Sequence, residues 1–243
     1  MPKQWFLTAA FVLLALPALG LAADVPQHTM LSKAESEPWH GVGRVNILHR
    51  NQRSMCTGTL IAPDIVLTAA HCLTHKGTGA EFKPGEVHFV AGWHKGSFTG
   101  HSRAAAISVH PNWTKAGKGT AAALGADIAL IRLAEPIGQE AATHFDLGDP
   151  PLPGAPVTLI SYRRDRAHAL TRQSDCRYRA VIDRVMTLDC NVIEGASGSP
   201  VFLIEDGMPR VVAVLSAKDR AGKKAYAARV DGTLTDLLDI LPN

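Results

Sequence analysis

The sequence predicts an all-β protein in two strand-rich halves, closed by one helix at the C-terminus. Two observations carry that expectation. From Arg44 onward the chain passes through short runs of Val, Ile, Leu and Thr, parted by Gly, Pro, Asn and Asp. Many short strands at fairly even spacing mean a sandwich or barrels. The series is interrupted once, from Pro136 to Pro153, where strand pattern gives way to Pro and Gly and the chain reads as a linker.

In order, the first half offers Arg44–Leu48, Thr57–Ile61, Ile65–Thr68, Val87–Ala91, Ala105–Val109 and Ile128–Leu133. The second offers Val157–Ser161, Tyr178–Ile182, Met186–Asp189, Val201–Ile204, Val211–Ser216 and Ala225–Val230. Their β-branched side chains suit a pleated, half-buried surface better than a helix. Helical period appears only at the end, where Leu234, Leu237, Leu238 and Leu241 share one face and Asp231 or Thr233 can cap the start.

Composition is that of a globular chain: 243 residues, 46% hydrophobic, 19% charged, net charge +3. The length suits one large β domain or two small packed units. Charges of both signs are scattered, and no basic block interleaved with aromatics marks a nucleic-acid surface.

The first residues read as a targeting signal. Lys3 starts it, Trp5 to Leu16 is almost wholly apolar, and Pro17, Gly20, Ala22 and Ala23 follow. A charged start, an apolar run and small residues describe a secretory signal peptide. Cleavage after Ala22 sets Gly20 and Ala22 at the small positions, giving a signal over 1–22. The alternative is an uncleaved anchor, near the lower limit of roughly 17 residues for spanning a bilayer. The expectation is a periplasmic or secreted protein with no membrane attachment after cleavage. Residues 23–40 are polar and read as a propeptide or flexible arm.

Four cysteines fit export, because disulfides persist in oxidising compartments. Sequence leaves three pairings open. The local pairs, Cys56–Cys72 and Cys176–Cys190, would each close a short loop and stabilise by about 3 kcal/mol in the chain-entropy model. A zinc site using Cys72 and some of the 11 histidines lacks CxxC or HxxxH spacing, so no metal or other cofactor is expected.

Three positions suggest chemistry. His71 follows the apolar run Val66–Thr68 and adjoins Cys72. An imidazole fixed there can take and return a proton near neutral pH. Ser197 sits in Gly195-Ala196-Ser197-Gly198-Ser199-Pro200, where small residues permit a tight turn and close approach of a carbonyl. The N–H groups of Gly195 and Ser197 could form an oxyanion hole. Ser199 is a rival nucleophile, disfavoured because Pro200 restricts it to extended geometry. Asp127 leads into Ile128–Leu133, and a buried carboxylate beside an imidazole fixes its tautomer. Taken singly, each of the three also fits a structural role.

Taken together they resemble the trypsin/chymotrypsin-like serine proteases. The runs Cys56-Thr57-Gly58-Thr59-Leu60-Ile61 and Val66-Leu67-Thr68-Ala69-Ala70-His71-Cys72 are similar to the family's segment around its catalytic His. His110-Pro111-Asn112-Trp113, Asp127–Leu133 and Gly195–Pro200 resemble its later motifs in the same order. Ser after the Gly resembles the bacterial branch that includes glutamyl endopeptidases.

The resemblance implies two six-stranded antiparallel β-barrels packed together, with the site in the cleft between them. Residues 41–135 would form the first barrel, 136–153 the linker, 154–232 the second barrel and 233–243 the helix and tail. It implies a bridge between Cys56 and Cys72, and a triad of His71, Asp127 and Ser197 acting on protein or peptide substrates through an acyl-enzyme. Asn191, Leu215, Ser216, Lys218 and Ala225 would line the substrate pocket. With no acid at 191, a small or apolar residue before the cut is expected.

One departure stands out. Ala196 occupies the place where most of the family carries an Asp that pairs with a newly released N-terminus, so that activation switch is not expected here. The alternative functions are a catalytically weak or inactive binding protein on the same fold, or an esterase using the same triad.

Overall fold

A computed structural model describes residues 1, 28–49, 52–113 and 119–242. Apart from Met1, the signal expected over 1–22 lies outside the described residues. No helix among the described residues is long and apolar enough to cross a membrane.

The chain opens with strand β1 (Thr29–Met30) and the one-turn helix α1 (Lys33–Ser36). Six strands follow in the first half: β2 (Val42–His49), β3 (Gln52–Ala62), β4 (Ile65–Thr68), β5 (Val87–Ala91), β6 (Gly100–Val109) and, after the short helix α2 (Ala121–Gly125), β7 (Ala129–Leu133). They close into a barrel in the order β2-β3-β4-β7-β6-β5, with β5 paired back to β2.

The second half holds β8 (Pro156–Ser161), β9 (Thr171–Ile182), β10 (Val185–Asp189), β11 (Pro200–Glu205), β12 (Met208–Lys218) and β13 (Ala225–Arg229). Their order β9-β10-β13-β12-β11-β8 is closed by pairing of β8 with β9, and β1 adds to the outside of β9. Every pairing is antiparallel. The fold is therefore two six-stranded antiparallel barrels, as the resemblance implied.

Each predicted run falls on a strand, with only Ile128 and Val230 just outside. The misses are extensions. Polar stretches such as Thr171–Arg177 continue β9, because pairing to β1 and β8 satisfies their backbone without an apolar pattern. The terminal helix α3 (Thr233–Ile240) forms where expected, but the N-cap position falls to Gly232 at φ +66°, with no side-chain cap bond, and not to Asp231 or Thr233. Asp231 instead accepts two bonds from the Arg229 guanidinium.

Residues 28–40 depart from the expected flexible arm. Leu31 is fully buried and donates its N–H to Leu170 O at 2.8 Å. Ser32 and Glu35 form a reciprocal capping box at α1. Trp39 packs on Phe145 of the connecting segment and Phe202 of β11, centroids 6.0 and 5.1 Å apart. Two apolar anchors spaced eight positions apart inside a polar stretch make no periodic signal, yet each can contribute about 2 kcal/mol by burial.

Three buried clusters organise the interior. One fills the first barrel around Phe89 and Leu60, and one fills the second around Leu188 and Val212. The third joins them, taking Leu67 and Ile128 from the first half and Ile160, Tyr162 and Phe202 from the second. Both disulfides are the local ones, Cys56–Cys72 and Cys176–Cys190.

Candidate active site

His71 sits in a one-turn 3₁₀ segment, Ala70–Cys72, just past β4. The disulfide to Cys56 ties that turn back to β3. Asp127 lies between α2 and β7 and is 2% exposed. Its Oδ1 accepts the backbone N–H of His71 at 2.8 Å, and its Oδ2 lies 2.7 Å from His71 Nδ1. A third donor is the Ser216 hydroxyl, also on Oδ2. Burial of a carboxylate is costly unless donors surround it, and here three do. The donors hold the imidazole with Nδ1 toward Asp127; among the described residues Nε2 has only the Cys72 sulfur beside it, at 3.8 Å.

Ser216 was expected in the substrate pocket. Its hydroxyl turns to Asp127, because β12 carries a bulge there: Leu215 pairs with Ala227 but Ala217 pairs with Tyr226. The extra residue is re-aimed, as bulges beside active sites commonly do. No pattern in the sequence marks a bulge, so this contact was not legible.

Ser197 is partly exposed, whereas Ser199 is fully buried. The Ser199 hydroxyl has no partner among the described residues, and its N–H is spent on Ala196 O at 3.0 Å. Ser197 is thus the serine this loop presents. The turn needs its glycines. Gly195 has φ +95° and Gly198 φ +79°. A Cβ at 198 would stand 2.2 Å from Thr57 O and 2.3 Å from Thr68 Oγ1.

The loop's amides divide into two sets. Ala196 N–H bonds Ile193 O at 3.2 Å and Gly198 N–H bonds Leu215 O at 2.8 Å. The N–H groups of Gly195 and Ser197 have no partner among the described residues. The carbonyls explain their aim, since C=O and N–H of a planar trans peptide point opposite ways. Glu194 O accepts Arg164 N–H at 2.7 Å, which turns Gly195 N–H away from Arg164. Ala196 O accepts Ser199 N–H, which fixes the peptide that bears Ser197 N–H.

Thr57 of β3 completes the arrangement. Its N–H bonds Ser197 O at 2.8 Å, its hydroxyl bonds Gly195 O at 3.0 Å, and the same hydroxyl accepts Tyr162 N–H at 3.0 Å. Sequence reading passed over Thr57 and Arg164, because both act mainly through the backbone of a distant loop.

Ala196 is 2% exposed and packs with Val192, Leu215 and Cys190. Beside it is a cavity of about 10 Å³ lined also by Arg163, Gln173 and Asn191. Arg163 is buried and takes Asp165 as its partner, at 3.1 and 2.9 Å.

Among the other expected pocket residues, Asn191 is exposed, and its backbone C=O and N–H face the Gln173 amide at 3.0 and 3.2 Å; flipped, that amide turns its NH₂ toward the C=O and its oxygen toward the N–H. Leu215 and Ala225 are buried in the second-barrel cluster. Lys218 is exposed and sits opposite Ala225 in the β12–β13 ladder. Cys56, His71 and Cys72 cluster closely, but both sulfurs are spent in the disulfide and offer no thiolate to a metal.

Residues 56–214 match the model of the trypsin-like peptidase domain family, and the chain belongs to that family. It is thereby a peptidase. Solved structures share the fold. A Glu endopeptidase determined in complex with MPD superposes with TM-score 0.70 at 18% identity, covering 88% of this chain and 95% of that one. The protease Anisep from Arthrobacter nicotinovorans gives TM-score 0.69 at 17% identity, covering 86% and 96%. The thermostable serine protease AL20 from an extremophilic microorganism gives TM-score 0.66 at 18% identity, covering 83% and 95%.

Proposed function

We propose that this chain is an exported serine endopeptidase that cuts peptide bonds through an acyl-enzyme on Ser197. The observation that carries the reading is the buried Asp127 with His71 Nδ1 at 2.7 Å. That pairing leaves His71 Nε2 as the base. His71 takes the Ser197 proton as Oγ attacks the scissile carbonyl, and the imidazolium formed is stabilised by Asp127. The N–H groups of Gly195 and Ser197 receive the developing oxyanion, a role worth about 3 kcal/mol for each donor lost. His71 then gives the proton to the leaving amine, and a water it activates releases the acid.

Export rests on the apolar leader and on the two disulfides, which persist in oxidising surroundings. The rival reading as a binding protein rested on Ala196. The hydrogen bonds from Arg164 and Thr57 to the carbonyls of Glu194, Gly195 and Ser197 hold the loop without a carboxylate at 196, which supports the catalytic reading.

A fluorophosphonate probe tests the reading. The wild-type protein should label, and Ser197→Ala should lose labelling while keeping its melting temperature. Folded wild-type protein that takes no label, or labelling that survives Ser197→Ala, would overturn it.

A further inference from the structure

On the wall of the first barrel, three groups capable of binding metal converge outside the proposed active site. His49 ends β2, His75 stands in the loop after His71, and Glu86 lies in the 3₁₀ turn Pro84–Glu86 that leads into β5. One donor atom from each falls within 4.8 Å of the others. His49 Nδ1 is 2.7 Å from Glu86 Oε1, and the two side chains are 25% and 23% exposed. The His49 and His75 rings meet edge to face at 4.7 Å.

The groups are held from behind. His75 N–H bonds Ala80 O and His75 O accepts Gly79 N–H, each at 2.8 Å, so the loop fixes the backbone of His75 on both sides. The Phe82 ring lies tilted against the His75 ring, with centroids 4.0 Å apart, and its centroid is 6.0 Å from that of His49. The second oxygen of Glu86 accepts Lys83 N–H at 3.0 Å, which orients the carboxylate as an outer-shell partner does.

We infer that His49, His75 and Glu86 form a binding site for a zinc-like divalent transition metal, one that ties the end of β2 to the loop following His71. Two imidazoles and one carboxylate suit zinc, whereas calcium and magnesium take oxygen ligands. Zinc bonds of about 2.0–2.1 Å at tetrahedral angles set donors roughly 3.3 Å apart. Reaching that from the present spacing needs side-chain movements on the order of an ångström, which partly exposed groups can make. A fourth position is left for water. Bound metal would link three side chains that are otherwise joined by the His49–Glu86 hydrogen bond and ring contacts.

The test is calorimetric titration of metal-free full-length protein with zinc chloride, followed by thermal melts. One zinc per chain is expected, with the melting temperature raised by about 5 °C or more at a hundredfold excess over Kd. His75→Gln and Glu86→Gln should each weaken binding at least tenfold and cut the shift at the same zinc concentration to about half or less. His88→Gln is the control, because His88 and His101 stack at 5.3 Å on another face and offer a two-ligand competitor. Absence of saturable binding to the wild type would overturn the inference. So would binding unchanged in His75→Gln, or binding lost only in His88→Gln.

Discussion

The loop carrying His71 is fastened within its own barrel, while the loop carrying Ser197 depends on groups from both barrels. His71 is held by the Cys56–Cys72 bridge and by Asp127, which takes its N–H and its ring nitrogen. All of these belong to the first half. The serine loop is bonded to Leu215 in the second barrel, but its carbonyls at 195 and 197 are taken by Thr57 of the first. Gly198 packs so close to Thr57 and Thr68 that no side chain fits. Ser216 crosses back the other way to Asp127. The contrast teaches that the side of the proposed nucleophile reports on how the barrels pack, and the side of the proposed base much less.

The largest effect should come from the base side. Asp127→Asn keeps the shape but presents an NH₂ where a carboxylate accepted three bonds, and it favours the wrong tautomer of His71. A fall in kcat of roughly 10⁴-fold on a peptide substrate is expected, by analogy with triads in general. A loss below tenfold in a folded variant would mean that Asp127 does not orient the base.

Thr57→Val tests the nucleophile side across the barrel interface. The backbone bond to Ser197 O survives, while Gly195 O and Tyr162 N–H lose their shared hydroxyl partner. Buried polar groups left unpaired cost about 1–3 kcal/mol each. The expected outcome is kcat down about 10- to 100-fold with KM little changed, since the oxyanion donors act on the transition state. A lowered melting temperature with unchanged kcat would assign Thr57 a structural part alone.

The same contrast explains what could be read in advance. Strands were legible because β-branched runs repeat between turn residues, and the His71 segment because Cys56 and Cys72 bracket it in one continuous stretch. The anchoring of Ser197 was not legible. It uses the N–H groups of Arg164 and Thr57, which any residue but proline supplies, and one hydroxyl of Thr57 inside a β-branched run where threonine is common. The partner of the Ser216 hydroxyl was hidden for a related reason, since a bulge changes where a side chain points without changing the apolar pattern of β12. Local pattern reveals elements, while contacts between backbone groups far apart in the chain leave little trace in it.

The smallest effects separate main chain from side chain at Arg164. Its guanidinium pairs with Glu194 at 2.5 Å, but the two side chains are 74% and 69% exposed, so solvent screens the pair. Arg164→Pro removes the N–H that holds Glu194 O as well as the side chain. The local backbone suits proline, since Arg164 opens the 3₁₀ turn Arg164–Arg166 and Arg163 before it is extended at ψ 145°, but proline's Cδ takes the place of the amide hydrogen and pushes Glu194 O away. Losing that bond and displacing the carbonyl should lower kcat at least about tenfold by turning the Glu194–Gly195 peptide. Arg164→Ala should lower kcat less than about threefold, because it keeps the N–H and loses only the screened pair. Equal losses in the two variants would show that the exposed ion pair, and not the main-chain bond, sets the aim of Gly195 N–H. The nucleophile loop would then be salt-sensitive, and raising the ionic strength should reproduce the Arg164→Ala loss in the wild type.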